Sequence, residues 1–187
     1  MKGDAIVTER LEILPATPEL TRAALRGPGA LAAALGSAVP PTWPPEYLNA
    51  ASLEFTLDRL AAGPGQAGWW LHFFVLEGEA GGRTLIGNGG YKGPPSSDGT
   101  VEVGYGVVSD HRRLGYASEA VRGLLAHAFE FSQVRRVIAD TLSELTASIG
   151  VLRKCGFRFI GEGSAPGILC FELTRSGARA RAAGGGG

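Results

Sequence analysis

The residues best placed to do chemistry are Arg112-Arg113-Leu114-Gly115-Tyr116-Ala117-Ser118. They stand between a strand-like run (101–108) and a helix-like run that begins near Ala117. The first turn of a helix carries several backbone N–H groups without partners, with a favourable dipole behind them. A glycine at its entrance lets the backbone approach an anion, or take a conformation that other residues resist. Arg112 and Arg113 add positive charge. The chemistry expected is therefore capture of a pyrophosphate by the N–H groups of residues 113–118. A solvated basic turn ahead of an ordinary helix is the bland alternative.

Other chemical signatures are missing. Gly104-Tyr105-Gly106 lacks the third glycine of a dinucleotide fingerprint, and no Gly-Lys-Ser/Thr loop or Gly-x-Ser-x-Gly elbow occurs. His72, His111 and His127 lie far apart, and Cys155 and Cys170 have neither metal-type nor disulfide-type spacing. No metal is expected, and the thiols read as buried and reduced. A formal net charge of zero over 187 residues argues against nucleic acid as a partner. The longest apolar run, residues 69–76, is too short for a membrane, and the N-terminal residues lack a signal-peptide core. These features lead us to expect a cytoplasmic protein without a membrane partner.

Elements that must position the turn follow from periodicity. A first strand is expected at 11–14 and a helix at 18–26, with Pro18 in its first turn and Gly27-Pro28-Gly29 breaking it. Residues 40–45 form a stiff proline loop carrying Trp43. A helix is expected over 46–62, with Leu53 off its apolar face. Strands are expected at 69–77, 84–92 and 101–108. In the last, Val101, Val103, Tyr105 and Val107 alternate with Glu102, Gly104 and Gly106. Amphipathic spacing then gives a helix ending near Phe131, a strand at 137–141 and a helix at 146–155 stopped by Gly156. A closing hairpin pairs 157–160 with 168–173. Residues 1–175 read as one α/β (α+β) domain with a mixed sheet, and residues 176–187 as a disordered Ala/Arg/Gly tail.

Two of these segments together resemble the acetyl-CoA-binding core of the GCN5-related N-acetyltransferases, and within them the ribosomal-protein N-terminal acetyltransferases. Arg112-Arg113-Leu114-Gly115-Tyr116-Ala117 matches the family's Q/R-x-x-G-x-G/A loop, preceded by a run like its fourth strand. Residues 148–157, ending Cys155-Gly156-Phe157, look like its second signature helix. Residues 8–14 resemble the subgroup's opening strand, and the element order agrees from about 8 to 174.

The resemblance implies a mostly antiparallel sheet whose fourth and fifth strands splay apart, with pantetheine in the gap. Backbone groups near Val107 and Val108 would pair with it, and Ser148 would face the thiol end. Lys154 either reaches the cofactor or is solvated. Acetyl transfer needs a neutral amine, so a base must take a proton. Glu102 matches a position where members often carry glutamate, and Gly104 and Gly106 leave space beside it. The other reading of Glu102 is a strand carboxylate paired with an arginine or solvated. Many members carry Asn where this chain has Leu145, and many others a general-acid Tyr where it has Leu152. Ser148 is the remaining hydroxyl, with Tyr105 and Tyr116 in reserve. Trp43, Tyr47, Trp69, Trp70, His72 and Tyr105 are candidates for the acceptor pocket, or else core aromatics. The implied activity is direct acetyl transfer from acetyl-CoA to a protein N-terminus or a small-molecule amine. A catalytically silent acyl-CoA-binding module is the alternative. A homodimer is a family expectation only.

Overall fold

The computed structural model describes residues 5–78 and 81–184. Eight strands form one sheet: β1 (Ile6–Val7), β2 (Leu11–Pro15), β3 (Leu71–Glu77), β4 (Arg83–Tyr91), β5 (Thr100–Val107), β6 (Arg136–Leu142), β7 (Arg158–Glu162) and β8 (Ile168–Thr174). Their order is β1-β2-β3-β4-β5-β6-β8-β7. Every neighbouring pair is antiparallel except β5–β6, which is parallel. Six α-helices accompany them: α1 (Pro18–Arg26), α2 (Pro28–Leu35), α3 (Ala50–Ala61), α4 (Tyr116–Glu130), α5 (Thr146–Cys155) and α6 (Arg175–Gly184). None among the described residues is long and apolar enough to cross a membrane.

Both faces of the sheet are covered, by different helices. On one face Phe74, Ile86, Val101, Val103 and Val137 pack against Val121, Leu124 and Ala128 of α4 and Leu152 of α5. On the other, Phe73, Val75 and Leu85 pack against Leu31 and Leu35 of α2, with Leu20 of α1 and Leu60 of α3 at the margin. Phe73 and Phe74 therefore serve opposite cores, as the two-residue repeat of a strand requires. Between Phe74 and Val75 the register jumps from Gly87 to Leu85, leaving Ile86 as the extra residue of a bulge.

Local chemistry explains the helix ends. Thr17 caps α1 by accepting from the Leu20 amide at 3.2 Å, ahead of Pro18. Gly27, at φ 116°, ends α1, but α2 begins at the next residue, so the expected break carries a further helix. The third helix begins at Ala50 rather than at 46, because Asn49 and Ser52 form a reciprocal capping box. Leu53, expected off the apolar face, is buried, whereas Phe55 is 51% exposed. Gly156 stops α5 in the left-handed region, at φ 94°.

The expected tail from residue 176 is corrected by α6. Ala and Arg are strong helix formers. Arg175 anchors the start of α6 by donating to the carbonyls of Val134, Phe129 and Phe131 at 2.6–2.9 Å. Further on, Arg181 lies over Gly156, where a Cβ would meet its Cδ at 2.5 Å. Residues 185–187 of that expectation lie outside the described residues.

Candidate functional site

Strands β5 and β6 run together only through the pairs Thr100–Arg136, Val101–Val137 and Glu102–Ile138. Beyond Glu102 they part, since Val103 to Val107 pair only with β4 and Ala139 to Leu142 only with β8. Alternation then decides which backbone groups face the opening. Lys92 N–H bonds the Glu102 carbonyl at 3.0 Å and Val108 N–H bonds the Ile86 carbonyl at 2.9 Å. In an antiparallel ladder this phase turns Tyr105 and Val107 away from β4, towards the gap.

Of the backbone groups near Val107 and Val108 that were expected to pair with a ligand, some are already bonded within the fold. Val108 is fully committed, because its carbonyl also accepts from His111 N–H at 3.0 Å. The Val107 carbonyl accepts from Arg112 Nε at 2.9 Å. The edge groups left to a ligand are the Tyr105 N–H and C=O and the Val107 N–H. A β-strand edge of this kind takes an extended amide-bearing ligand as an added strand.

At the end of this edge the chain turns through Arg112–Gly115 into α4. Gly115 sits at φ 89°, in the left-handed region, and no side chain among the described residues caps the helix. The first helical bond runs from Glu119 N–H to the Gly115 carbonyl at 3.0 Å. Among the described residues, the N–H groups of Gly115, Tyr116, Ala117 and Ser118 find no acceptor. Four converging amides at a helix N-terminus are an arrangement that suits an anion. Arg113 also takes a positive φ, 62°, and its side chain and that of Leu114 are exposed. Arg112 is engaged otherwise than expected: its guanidinium is shared between the Val107 carbonyl and the Glu46 carboxylate of the segment after the proline loop.

Two residues that the sequence reading missed shape this turn. Arg10 donates through Nη1 to the Leu114 carbonyl at 3.1 Å, pairs with Glu119 at 2.7 Å, and lies 4.4 Å from the centre of the Tyr116 ring. Glu119 also accepts from the Thr8 hydroxyl and the Arg10 amide, each at 2.7 Å. Burial pushes the Glu119 carboxyl up, but these bonds outweigh it and hold it below its usual range. The segment ahead of β2 thereby braces the turn into α4 from over a hundred residues away.

The catalytic candidates Glu102 and Ser148 stand at opposite faces of β5, Ser148 from α5 through its contact with Tyr105. Glu102 points to the face of α1–α3 and is paired with Lys92, so its partner is a lysine and not the arginine considered above. Next to it, a Cβ on Gly104 would meet nothing within 4 Å, while one on Gly106 would reach Pro45 Cβ at 3.3 Å. The proline loop thus roofs one end of an open groove over the glycines. Tyr105 points to the other face. Its hydroxyl lies 3.1 Å from both the Oγ and the carbonyl of Ser148, in the first turn of α5. Burial pushes the Tyr105 phenol up to about 12, against a lowering hydrogen bond from Ser148.

The acceptor candidates divide. Trp43 stands half-buried beside Phe73, with ring centres 6.2 Å apart, on the groove's face of the sheet. Trp70 is half-buried, edge-on to Phe55 at 5.6 Å. Tyr47 is 77% exposed. Trp69 is core, against Phe131 at 4.8 Å and Tyr91 at 5.2 Å. His72 is also core: it shares the face of Phe74 and Tyr91, bonds the Trp70 carbonyl through Nδ1 at 3.0 Å, and is drawn down to about pKa 4 by burial. It does not reach the groove. Lys154 is exposed on α5, and Leu152 is buried in the core, so it lines no site.

The family profile described as "Acetyltransferase (GNAT) domain" matches residues 18–158. The chain belongs to the GNAT acetyltransferase family. Among curated proteins it is 33% identical over 73 residues to the uncharacterized N-acetyltransferase YjdG of Bacillus subtilis, covering 39% of this chain and 44% of that one. It is 32% identical over 74 residues to the uncharacterized N-acetyltransferase p20 of Bacillus licheniformis, covering 40% and 42%. The match thus spans less than half the length of these GNAT relatives. Among solved structures it is similar in fold to Mycobacterium smegmatis RimJ in complex with CoA-disulfide, at TM-score 0.62 and 21% identity over 97% of this chain and 95% of that one. It is also similar to the microcin C7 self-immunity acetyltransferase MccE in complex with acetyl-CoA and AMP, at TM-score 0.60 and 12% identity over 89% and 93%.

Proposed function

We propose that this GNAT protein is an acetyl-CoA-dependent enzyme that acetylates a primary amine by direct transfer in a ternary complex. The observation that carries the reading is the free strand edge at Tyr105 and Val107 running into the unpartnered amides of Gly115–Ser118. An extended amide chain ending in a pyrophosphate fits both halves at once, and acetyl-CoA would supply the acyl group as a thioester at the far end.

The residues divide the work. Tyr105 and Val107 align the pantetheine amides through backbone bonds, and Gly115–Ser118 hold the phosphates at the positive end of α4. Glu102 takes the amine proton, directly or through one water, from the groove over Gly104. As the amine nitrogen bonds to the acyl carbon and the carbon–sulfur bond breaks, the departing thiolate meets the Tyr105–Ser148 pair. A thiol with a pKa near 8.5 is a stronger acid than a phenol held at about 12. The pair therefore serves the thiolate as a hydrogen-bond donor rather than by surrendering its proton.

The acceptor is a protein or peptide N-terminus, or a small-molecule amine. Thiol release with acetyl-CoA and a panel of amines and peptides tests the activity, with Glu102→Gln beside the wild type. Turnover that falls about a hundredfold in the variant, with unchanged acetyl-CoA affinity, supports Glu102 as base. The absence of Asn and Tyr at Leu145 and Leu152 favours the second reading, a silent acyl-CoA-binding module. That reading predicts cofactor binding without turnover of any amine.

A further inference from the structure

The groove over Gly104 has a polar group that neither the sequence reading nor the transfer chemistry has used. Asn88 of β4 stands directly across the ladder from Gly106 and is half-buried. Among the described residues its buried Oδ1 finds no hydrogen-bond partner. That oxygen lies 3.7 Å from the point a Gly106 Cβ would occupy, beside Pro45 at 3.3 Å from the same point. Any side chain at position 106 would crowd this place. At 104 there is open space. Gly106, Gly104 and Glu102 follow one another on one face of β5, about 7 Å apart by strand geometry. The opening over Gly104 is thus flanked by Glu102 on one side and by the Asn88 carboxamide on the other.

A buried amide oxygen without a partner is costly, and such groups persist where a donor satisfies them in the working state. The two flanking groups both accept hydrogen bonds, which suits a ligand rich in N–H. We propose that Asn88 is an acceptor-recognition residue, whose carboxamide oxygen takes a hydrogen bond from an N–H of the amine substrate while Glu102 receives that amine's proton. This assignment rests on the transferase reading above. It gives Asn88 a positioning role: it turns the nitrogen lone pair towards the gap between β5 and β6 and takes no part in bond making.

The test compares wild type with Asn88→Leu and Asn88→Ser, using acetyl-CoA with trialanine, benzylamine and putrescine as acceptors. Leucine keeps the branched heavy-atom skeleton of asparagine, though it is bulkier, and removes the unpartnered oxygen, so the variant should remain folded. Should Asn88→Leu fail to fold, Asn88→Ser, too short to reach, is read in its place. The expected result is a KM for the best acceptor raised about tenfold, with the acetyl-CoA Kd unchanged. Gly104→Ala places a methyl in open space and should raise the same KM while leaving the fold and the acetyl-CoA Kd intact. Acceptor kinetics equal to wild type in a folded Asn88 variant would overturn the proposal and leave the transferase reading standing. Wild type that turns over none of the probes, nor any amine in a wider screen, would overturn both.

Discussion

The hydroxyls of Tyr105 and Ser148 lie 3.1 Å apart, joining β5 to the first turn of α5 at the place where β5 and β6 part. Tyr105 is on the strand that offers its backbone to the gap, and Ser148 is on the helix that closes the other side. The contact of the Tyr105 hydroxyl with the Ser148 hydroxyl and carbonyl thus places a hydroxyl pair beside the opening.

Tyr105→Phe tests the catalytic part of this relationship. Ring packing is kept and the phenol is lost, so stability should change by no more than about 1 kcal/mol. The expected kinetic result is a kcat lowered about tenfold with an unchanged KM for acetyl-CoA. Because the phenol titrates near 12, the wild-type rate should show no loss from this group between pH 7 and 9. Steady-state kinetics across that range check both statements.

The brace on the anion loop gives a second prediction. Arg10→Ala removes the donor to the Leu114 carbonyl and the partner of Glu119. The ion pair is partly exposed, so the stability loss should be only about 1 kcal/mol. Cofactor affinity should fall more visibly, by about tenfold, because the unpartnered amides are no longer held in register. The Glu119 carboxyl is held below its usual range in the folded state. Its contribution is therefore present above the usual carboxylate pKa and lost as pH falls through the depressed one. Glu119→Gln should flatten that acid limb in a urea titration.

Much of this arrangement could be read from local signals. The glycine-led entry into α4 was legible because its determinants are contiguous: Gly115 in the left-handed region, then a helix with no side-chain cap among the described residues. Thr17 with Pro18, and Gly156 after Cys155, marked helix ends in the same way. Arg10 was not legible, because nothing near it in sequence says that it meets Glu119 109 positions on. Asn88 was hidden for a related reason, since its significance depends on Gly106 of the neighbouring strand. The two readings of His72, pocket or core, stayed open because helices cover both faces of this sheet, so alternation separates the faces without saying which one holds the groove. The tail was misread because its composition of Ala, Arg and Gly suits disorder as well as a helix; the Arg175 anchor decides between them.

His72 gives a third prediction, on stability alone. In the fold it stays neutral down to about pH 4, because burial disfavours its charged form. In the unfolded chain it protonates near 6.5. The unfolded state therefore binds more protons between these values, and stability should decline as pH falls from about 6.5 towards 4. The loss attributable to this side chain is roughly 3 kcal/mol. His72→Asn should be less stable at pH 7 but lose much of the slope between pH 7 and 4, as followed by urea denaturation.

The most direct test of the central claim is calorimetric titration of acetyl-CoA into the wild type and into Gly115→Asp. Aspartate tolerates the left-handed conformation better than most residues. At this position its Cβ would come within 3.3 Å of Arg10 Nη2, a tight contact that the end of that flexible side chain relieves by shifting, at some cost in stability. A carboxylate beside the amides of Tyr116–Ser118 would repel a pyrophosphate. The account predicts saturable binding to the wild type and a loss of at least a hundredfold in the variant, measured at a temperature where the variant is folded by circular dichroism. Equal affinity in the two proteins, or no binding to the wild type, would contradict it.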